Sequence, residues 1–384
     1  MIPDAFLILD DASLWAGRSF GARPPFAAQL DGGVLSMSFS GEVVFNTGMT
    51  GYHEILTDPS YTGQIVLMTC PHIGNYGNQD EWSESGPKNG RPQARGVHAQ
   101  GLVLRSVYRG TVPEGRIGIG EFLIRHGLCG ISEVDTRGLT LSIRRGGSRN
   151  GIIIAPSSPG GLGEAEFHLA REFLQDMPGM VSRNLAGEVG VREVEIINAE
   201  GAPHVALLDC GVKMNIIRRL VHRGCRITLL PSGSNAAAVR TVAPDALLFS
   251  NGPGDPAPLE AQAELAKHLM GELPLWGICL GLQILARAVG GSTGKMRFGH
   301  HGLNHPVRDE KTGRVFVTSQ NHGFAVNEND LPDICRVRFR NTNDGSIEGI
   351  ESRELKLLAV QYHPEAAPGP IDSDWVFDAF LETL

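Results

Sequence analysis

The sequence lacks the features that would tie it to a membrane or to nucleic acid. No run of apolar residues approaches the ~20 needed to cross a bilayer. The opening stretch, MIPDAFLILDDASLW, carries Asp4, Asp10 and Asp11 and no basic residue, so a secretory leader is not expected. Positive charge is in deficit, with 34 Lys and Arg against 42 Asp and Glu and a net charge of −8. That balance excludes a general basic field for nucleic acid or anionic lipid. Cysteine is sparse: Cys70, Cys129, Cys210, Cys225, Cys279 and Cys335 are scattered with no CxxC pair. The pattern points away from a zinc ribbon or a disulfide scaffold and suits a reducing cytosol. Internal repeats, low-complexity tracts and long charge runs are also missing. The expectation is a cytoplasmic protein with neither a nucleic-acid nor a membrane partner.

What is present describes an ordinary globular chain. Its 384 residues, 41% hydrophobic and 20% charged, suffice for two or three domains with buried cores. From about residue 203 short apolar strands alternate with helical segments: HVALLDCG, KMNIIRRLVHRG, CRITLLP, DALLFSNGPGD, LEAQAELAKHLMGE and PLWGICLG. This alternation predicts βαβ units and a parallel sheet. Beyond residue 290 the pattern turns strand-rich, with RVFVTSQ, CRVRFRN, SIEGIES and LKLLAVQYH. The earlier half places the strands AFLILD, EVVFN, QIVLMTC and QGLVLRS between Gly/Pro-rich turns, with one helix near 121–127. The fold class expected is therefore α/β: an open, mixed, largely parallel C-terminal sheet flanked by helices, after a β-rich N-terminal domain. The domains read as 1–200, with a core of about 1–150 plus a connector helix at 164–177, and 201–384. The small, polar stretch NAEGAPH (198–204) is the boundary.

Chemistry concentrates in the second half. A cysteine in an apolar stretch is by itself a small buried hydrophobe. Gly277-Ile278-Cys279-Leu280-Gly281, however, has the G-x-nucleophile-x-G form of an elbow between strand and helix. Such a turn presents Cys279 at the carboxyl end of a strand, where open α/β sheets bind ligands. The helix that follows aims its positive end at the sulfur and favours a thiolate. The N–H of Leu280 is a candidate oxyanion donor. A thiol nucleophile needs a base, and LKLLAVQYHPE supplies His363, with Glu365 on the same face of an extended chain to orient it. SNGPGDP (250–256) is a turn after a strand, and Gly252 and Gly254 let its backbone approach a ligand.

Two other stretches imitate known sites without meeting their requirements. GGSTGKM (290–296) lacks the first glycine and the final Ser/Thr of a phosphate loop. HHGLNH (300–305) spaces His301 and His305 like metal ligands, but Gly302, Asn304 and Pro306 oppose the helix that such a pair requires. No metal site is expected.

Taken together, SNGPGDP, GICLG, QNHGFAV (320–326) and HPEA (363–366) resemble the class I (triad) glutamine amidotransferases. GEVVFNTGMTGYHEILTDPSYTGQIV, PHIGNYG, DTRGLT, FGHHGLNHPV and PEAAPGP narrow the resemblance to carbamoyl-phosphate synthetase small subunits, from the N-terminus to nearly the last residue. The resemblance implies Cys279 as nucleophile, His363 as base and Glu365 as its orienter, with Gly252 and Leu280 as oxyanion donors. It implies that Gly48, Gly254, Gln283, Asn321, Gly323 and Phe324 help to hold L-glutamine. It also implies a partner, the large synthetase subunit, in a heterodimer or higher oligomer. No cofactor is expected in this chain; ATP and Mg would be used by the partner.

The chain departs from the family pattern at Gly48, where a serine is usual, at Leu282, where a histidine is usual, and at Leu303, where a glycine is usual. Two other readings stay open from sequence alone: a different class I amidotransferase subunit, such as that for GMP or anthranilate, and a catalytically silent docking protein.

Overall fold

The computed structural model describes residues 2–32, 39–85 and 96–384. The chain divides into two units, one of Met1–Ser83 and Ala94–Met180, the other of Glu84–Gln93 and Val181–Leu384.

In the first unit seven strands close into a barrel. They are β1 (Ala5–Leu9), β2 (Leu14–Gly21), β3 (Ser40–Asn46), β4 (Gln64–Met68), β5 (Gly101–Val103), β6 (Cys129–Ser132) and β7 (Arg149–Ile154). Their order is β1-β2-β6-β5-β4-β3-β7, with β7 returning to β1. Every residue of β1, β3 and β4 is buried, because both faces of these strands are covered. Helices α1 (Tyr52–Thr57), α2 (Ile119–Arg125), α3 (Thr136–Gly146) and α4 (Glu164–Asp176) belong to this unit. Tyr52, Leu56 and Phe122 pack on Val44, Val66 and Leu102, while Ala170 and Leu174 of α4 pack with Phe6, Ile8, Ile152 and Ile154.

The second unit is one open sheet of ten strands. They are β8 (Glu195–Ile197), β9 (His204–Asp209), β10 (Arg226–Pro231), β11 (Ala246–Phe249), β12 (Leu275–Ile278), β13 (Ser292–Asp309), β14 (Val315–Asn327), β15 (Arg336–Asn341), β16 (Ile347–Ser352) and β17 (Leu357–Val360). Their order is β14-β13-β15-β16-β17-β12-β11-β9-β10-β8. The five strands β10, β9, β11, β12 and β17 run parallel. The remaining pairings are antiparallel, so the sheet is mixed. Residues 198–203 form the turn from β8 into β9 inside this unit.

Helices α5 (Ala186–Val189), α6 (Met214–His222), α7 (Ala236–Val242), α8 (Glu260–Leu269), α9 (Leu280–Ala288) and α10 (Val376–Leu381) complete the unit. Strand side chains alternate between two cores. Ala206, Leu208, Leu247 and Phe249 meet Leu265 and Leu269 of α8 and Leu282 and Leu285 of α9. Val205, Leu207, Leu248 and Trp276 meet Ile216 and Leu220 of α6 and Phe377 and Phe380 of α10. Burying one such side chain contributes ~1.5–3 kcal/mol, and coverage of both faces is why these strands read as continuous apolar runs. No helix among the described residues is long and apolar enough to cross a membrane.

Candidate functional site

Parallel strands deliver their carboxyl ends to one rim of a sheet. Here β9 ends at Asp209, β11 at Phe249, β12 at Ile278 and β17 at Val360. The loops that follow carry Lys213, Gly252, Cys279 and His363 in turn. This is the rim where open α/β sheets place ligands.

Cys279 joins β12 to α9 with φ 55° and ψ −104°, a conformation that L-residues rarely adopt. Strain of this kind costs ~1–3 kcal/mol and persists only where the surroundings impose it. Here they do. A Cβ on Gly281 would lie 2.0 Å from the Phe249 carbonyl oxygen, so only glycine lets α9 pack against the end of β11. Cys279 itself is 2% exposed. Its thiol faces the Asn321 carbonyl at 3.7 Å, and the Gln361 amide nitrogen donates to the sulfur at 3.6 Å.

His363 and Glu365 also meet, although not on an extended strand. β17 stops at Val360; His363 forms an isolated bridge with Ser319, and Glu365 lies in the turn that begins at Pro364. Proline fixes φ and removes a donor, which ends regular pairing there. The turn still brings His363 Nδ1 to 2.7 Å from Glu365 Oε1. Burial alone would lower the His363 pKa, but the Glu365 carboxylate and the Cys279 sulfur outweigh it and push it up to about 10. Burial alone would raise the Glu365 pKa, but Lys213 and His363 hold it well below the usual carboxylate range. Nε2 is the ring nitrogen of His363 that Glu365 leaves unused, and the Cys279 sulfur acts on the same ring. Such an arrangement can serve as a nucleophile, a base and an orienting acid.

The oxyanion and substrate candidates of the second unit gather around this centre. A Cβ on Gly252 would lie 2.1 Å from the Cys210 carbonyl and 2.9 Å from the Leu280 side chain, so the loop after β11 packs against the elbow. Gly254 has φ +90°. Gln283, one turn into α9, donates to the Phe324 carbonyl at 2.8 Å and to Gln361 Oε1 at 3.1 Å. Asn321, Gly323 and Phe324 lie together on β14; the Phe324 ring carries Lys295 Nζ 4.9 Å from its centroid. Gly48 belongs to the first unit, where its N–H donates to Asn46 Oδ1 at 2.7 Å. Of the departures from the family pattern, Leu282 is fully buried in the core beneath α9.

Sequence reading missed Lys213, Gln361 and Glu84. Lys213 is 1% exposed; its Nζ lies 2.9 Å from Glu365 Oε1, the oxygen that His363 also uses, and donates to the Ala366 carbonyl at 2.5 Å. A pointer existed in DCGVK, which follows a parallel strand just as the elbow does. Both lookalike stretches belong to β13. GGSTGKM leads into it, and HHGLNH is strand throughout, so His301 and His305 never share a helical face. His300, His322 and Glu348 do cluster. Several of their polar atoms already serve neighbours: His300 Nε2 pairs with Asp344 at 2.9 Å, and His322 bonds the Phe324 carbonyl at 2.7 Å and Gln320 Oε1 at 3.0 Å.

Residues 206–383 match the family model for glutamine amidotransferase class-I. Residues 7–153 match that for the carbamoyl-phosphate synthase small chain, CPSase domain. Over nearly its whole length the chain is similar to proteins called carbamoyl phosphate synthase small chain. It is 42% identical to that of Methanopyrus kandleri, covering 98% of each chain. It is also 42% identical to that of Escherichia coli K12, covering 100% of this chain and 98% of that one.

Proposed function

The chain belongs to the carbamoyl phosphate synthase small-chain family, and on that footing we propose that it is the glutaminase subunit of a glutamine-hydrolysing carbamoyl phosphate synthetase. The observation that carries this reading is the His363–Glu365 pair, 2.7 Å apart, beside a cysteine held at positive φ on the carboxyl rim.

In this reading His363 already holds the proton of the Cys279 thiol, and the sulfur attacks the side-chain amide carbon of L-glutamine. The N–H groups of Gly252 and Leu280 receive the oxyanion. His363 then gives its proton to the nitrogen as the C–N bond breaks, releasing ammonia and leaving a γ-glutamyl thioester on Cys279. Water, deprotonated by His363, hydrolyses the thioester to glutamate and restores the thiolate. Glu365, gripped by Lys213, keeps the imidazole oriented throughout. Gly254, Gln283, Asn321, Gly323 and Phe324 hold the amino acid.

Ammonia freed near neutral pH is mostly protonated in bulk solvent and lost as a nucleophile. The reading therefore includes a large synthetase subunit that receives it directly and uses ATP, Mg and bicarbonate. The β-rich N-terminal domain is the part that docks, in a heterodimer at least, in the cytoplasm. The test is Cys279→Ser combined with the large subunit. Glutamine-dependent carbamoyl phosphate synthesis should vanish while synthesis from added ammonia persists. Wild-type glutaminase activity in that variant would overturn the reading, and so would a large subunit that draws no nitrogen from glutamine through this chain.

A further inference from the structure

Helix α6 starts just after Lys213, and no side chain of its own cap residue closes its first turn. The open N–H groups are satisfied from far away in sequence. The Met214 N–H donates to the Glu84 carbonyl at 3.0 Å, and the Asn215 N–H donates to Glu84 Oε2 at 2.9 Å. The other carboxylate oxygen, Oε1, accepts from Arg218 Nη1 at 2.9 Å. Glu84 is 0% exposed, and a carboxylate at a helix N-terminus complements the helix dipole as well as filling the cap.

The turn that Glu84 closes is the one that grips the triad acid. Lys213 Nζ pairs with Glu365 Oε1 at 2.9 Å and bonds the Ala366 carbonyl, while the Asn215 side-chain amide donates to the Glu365 carbonyl. Both the carboxylate and the backbone of Glu365 are thus fixed by the first turn of α6. Among the charged groups that act on Glu84 are Lys213, Arg218 and Glu365. Burial raises its carboxyl to about 7, while Lys213 and Arg218 pull the other way. Lys213 therefore lies within the field of two buried carboxylates, Glu84 and Glu365.

We propose that Glu84 is a positioning residue for glutamine cleavage. It fixes the turn that holds Glu365, and its negative charge sets how much of the Lys213 charge Glu365 must neutralise, and so how much negative charge Glu365 presents to His363. The chain that completes the glutaminase centre thus includes a residue 97 positions ahead of Val181, where the rest of the second unit begins. This inference rests on the glutaminase reading above.

The test uses the full chain with its large subunit, and the readout is kcat/KM for glutamine across pH. Glu84→Gln keeps an acceptor for the Asn215 N–H but removes the negative charge that the carboxylate carries beside Lys213 and Glu365 above its raised pKa of about 7. Fewer negative charges disfavour protonation, so the alkaline limb of the profile, where Glu84 is ionised, should move to lower pH, by about one unit for a buried neighbouring charge. Turnover should fall about tenfold, and ammonia-dependent synthesis should be unchanged. Arg218→Met removes a positive charge from the same cluster and should move the alkaline limb the other way. That shift should be smaller, because the Arg218 side chain is 39% exposed. A purely structural role would lower activity without moving either limb. Alkaline limbs that coincide with wild type in both variants overturn the proposal, and if Glu84→Gln does not fold, Arg218→Met decides alone. A wild-type complex that hydrolyses no glutamine would instead overturn the glutaminase reading itself.

Discussion

Lys213 and Glu365 form an ion pair 2.9 Å long whose side chains are 2% and 0% exposed. Neither charge has water to fall back on. A buried pair of this kind is tolerated because each partner compensates the other, and removing one leaves the other stranded.

Lys213→Met should therefore destabilise the second unit by about 3–5 kcal/mol and lower glutaminase turnover, because Glu365 would be left with a buried charge beside His363. Urea unfolding together with a glutaminase assay measures both. An unchanged midpoint with full activity would mean that the lysine has no part in holding the acid.

His363→Asn should reduce glutaminase kcat more than Glu365→Gln does. Loss of the base removes proton transfer, a contribution of ~10²–10⁴-fold, whereas loss of the orienter leaves an imidazole that still visits the correct tautomer. Glu365→Gln should be the less stable of the two proteins, since it strands Lys213. Steady-state kinetics and thermal melts on the same preparations separate the two effects.

The same pair makes stability depend on pH at both ends. Glu365 has a folded pKa below its ordinary 4.5, so its contribution is present above 4.5 and is lost as the pH falls toward the folded value. His363 has a folded pKa raised from 6.5 to about 10, so its contribution is complete below 6.5 and is lost as the pH rises through about 10. Unfolding free energies across this range should decline on the alkaline side for wild type and less so for His363→Asn. Equal alkaline declines would show that the imidazole is not held charged.

Gly48→Ser should lower the KM for glutamine and leave kcat nearly unchanged. The family's serine is implied to contact substrate, and such a bond serves ground state and transition state alike. Gly48 has no positive φ to resist the side chain. One neutral hydrogen bond contributes ~0.5–1.5 kcal/mol, so the gain should not exceed about tenfold. A higher KM would mean that this chain holds its substrate without that contact.

Gly281→Ala should abolish the elbow. Its methyl carbon would lie 2.0 Å from the Phe249 carbonyl oxygen, a backbone atom that cannot swing aside. Overpacking in a tight core costs ~1–3 kcal/mol, and displacement of α9 would carry Leu280 and Gln283 out of place. Loss of glutaminase activity with a lowered melting temperature is the expected pair of results.

The elbow and the His363–Glu365 pair were legible in the sequence because each is carried by a short motif with its own local signal. Lys213 was not, since a lysine beside a helix start usually points to water, and only the fold shows it buried under Glu365. Glu84 was still further from view, because its partners lie more than a hundred residues away. Among the strands, β9 and β11 announced themselves as apolar runs, being covered on both faces. The strand β13 did not: it is rich in Gly and His, and its register with β14 shifts between Lys295 and His300 and again between Gly302 and His305. Those irregularities erase the period-two alternation by which a strand is recognised. His363 and Glu365 meet around a turn rather than along a strand, because Pro364 takes the chain out of the sheet.

With the chemistry drawn to one rim of the sheet, the opposite rim is left to architecture. There the strands begin, at His204, Ala246, Leu275 and Leu357, and the contacts are of another kind, such as the His204 N–H donating to Asp245 at 2.7 Å. A library of single substitutions scored separately for abundance and for turnover should therefore sort by geography. Changes where strands begin would deplete the protein in the cell while sparing the activity of each surviving molecule. Changes where strands end would leave abundant protein that no longer works.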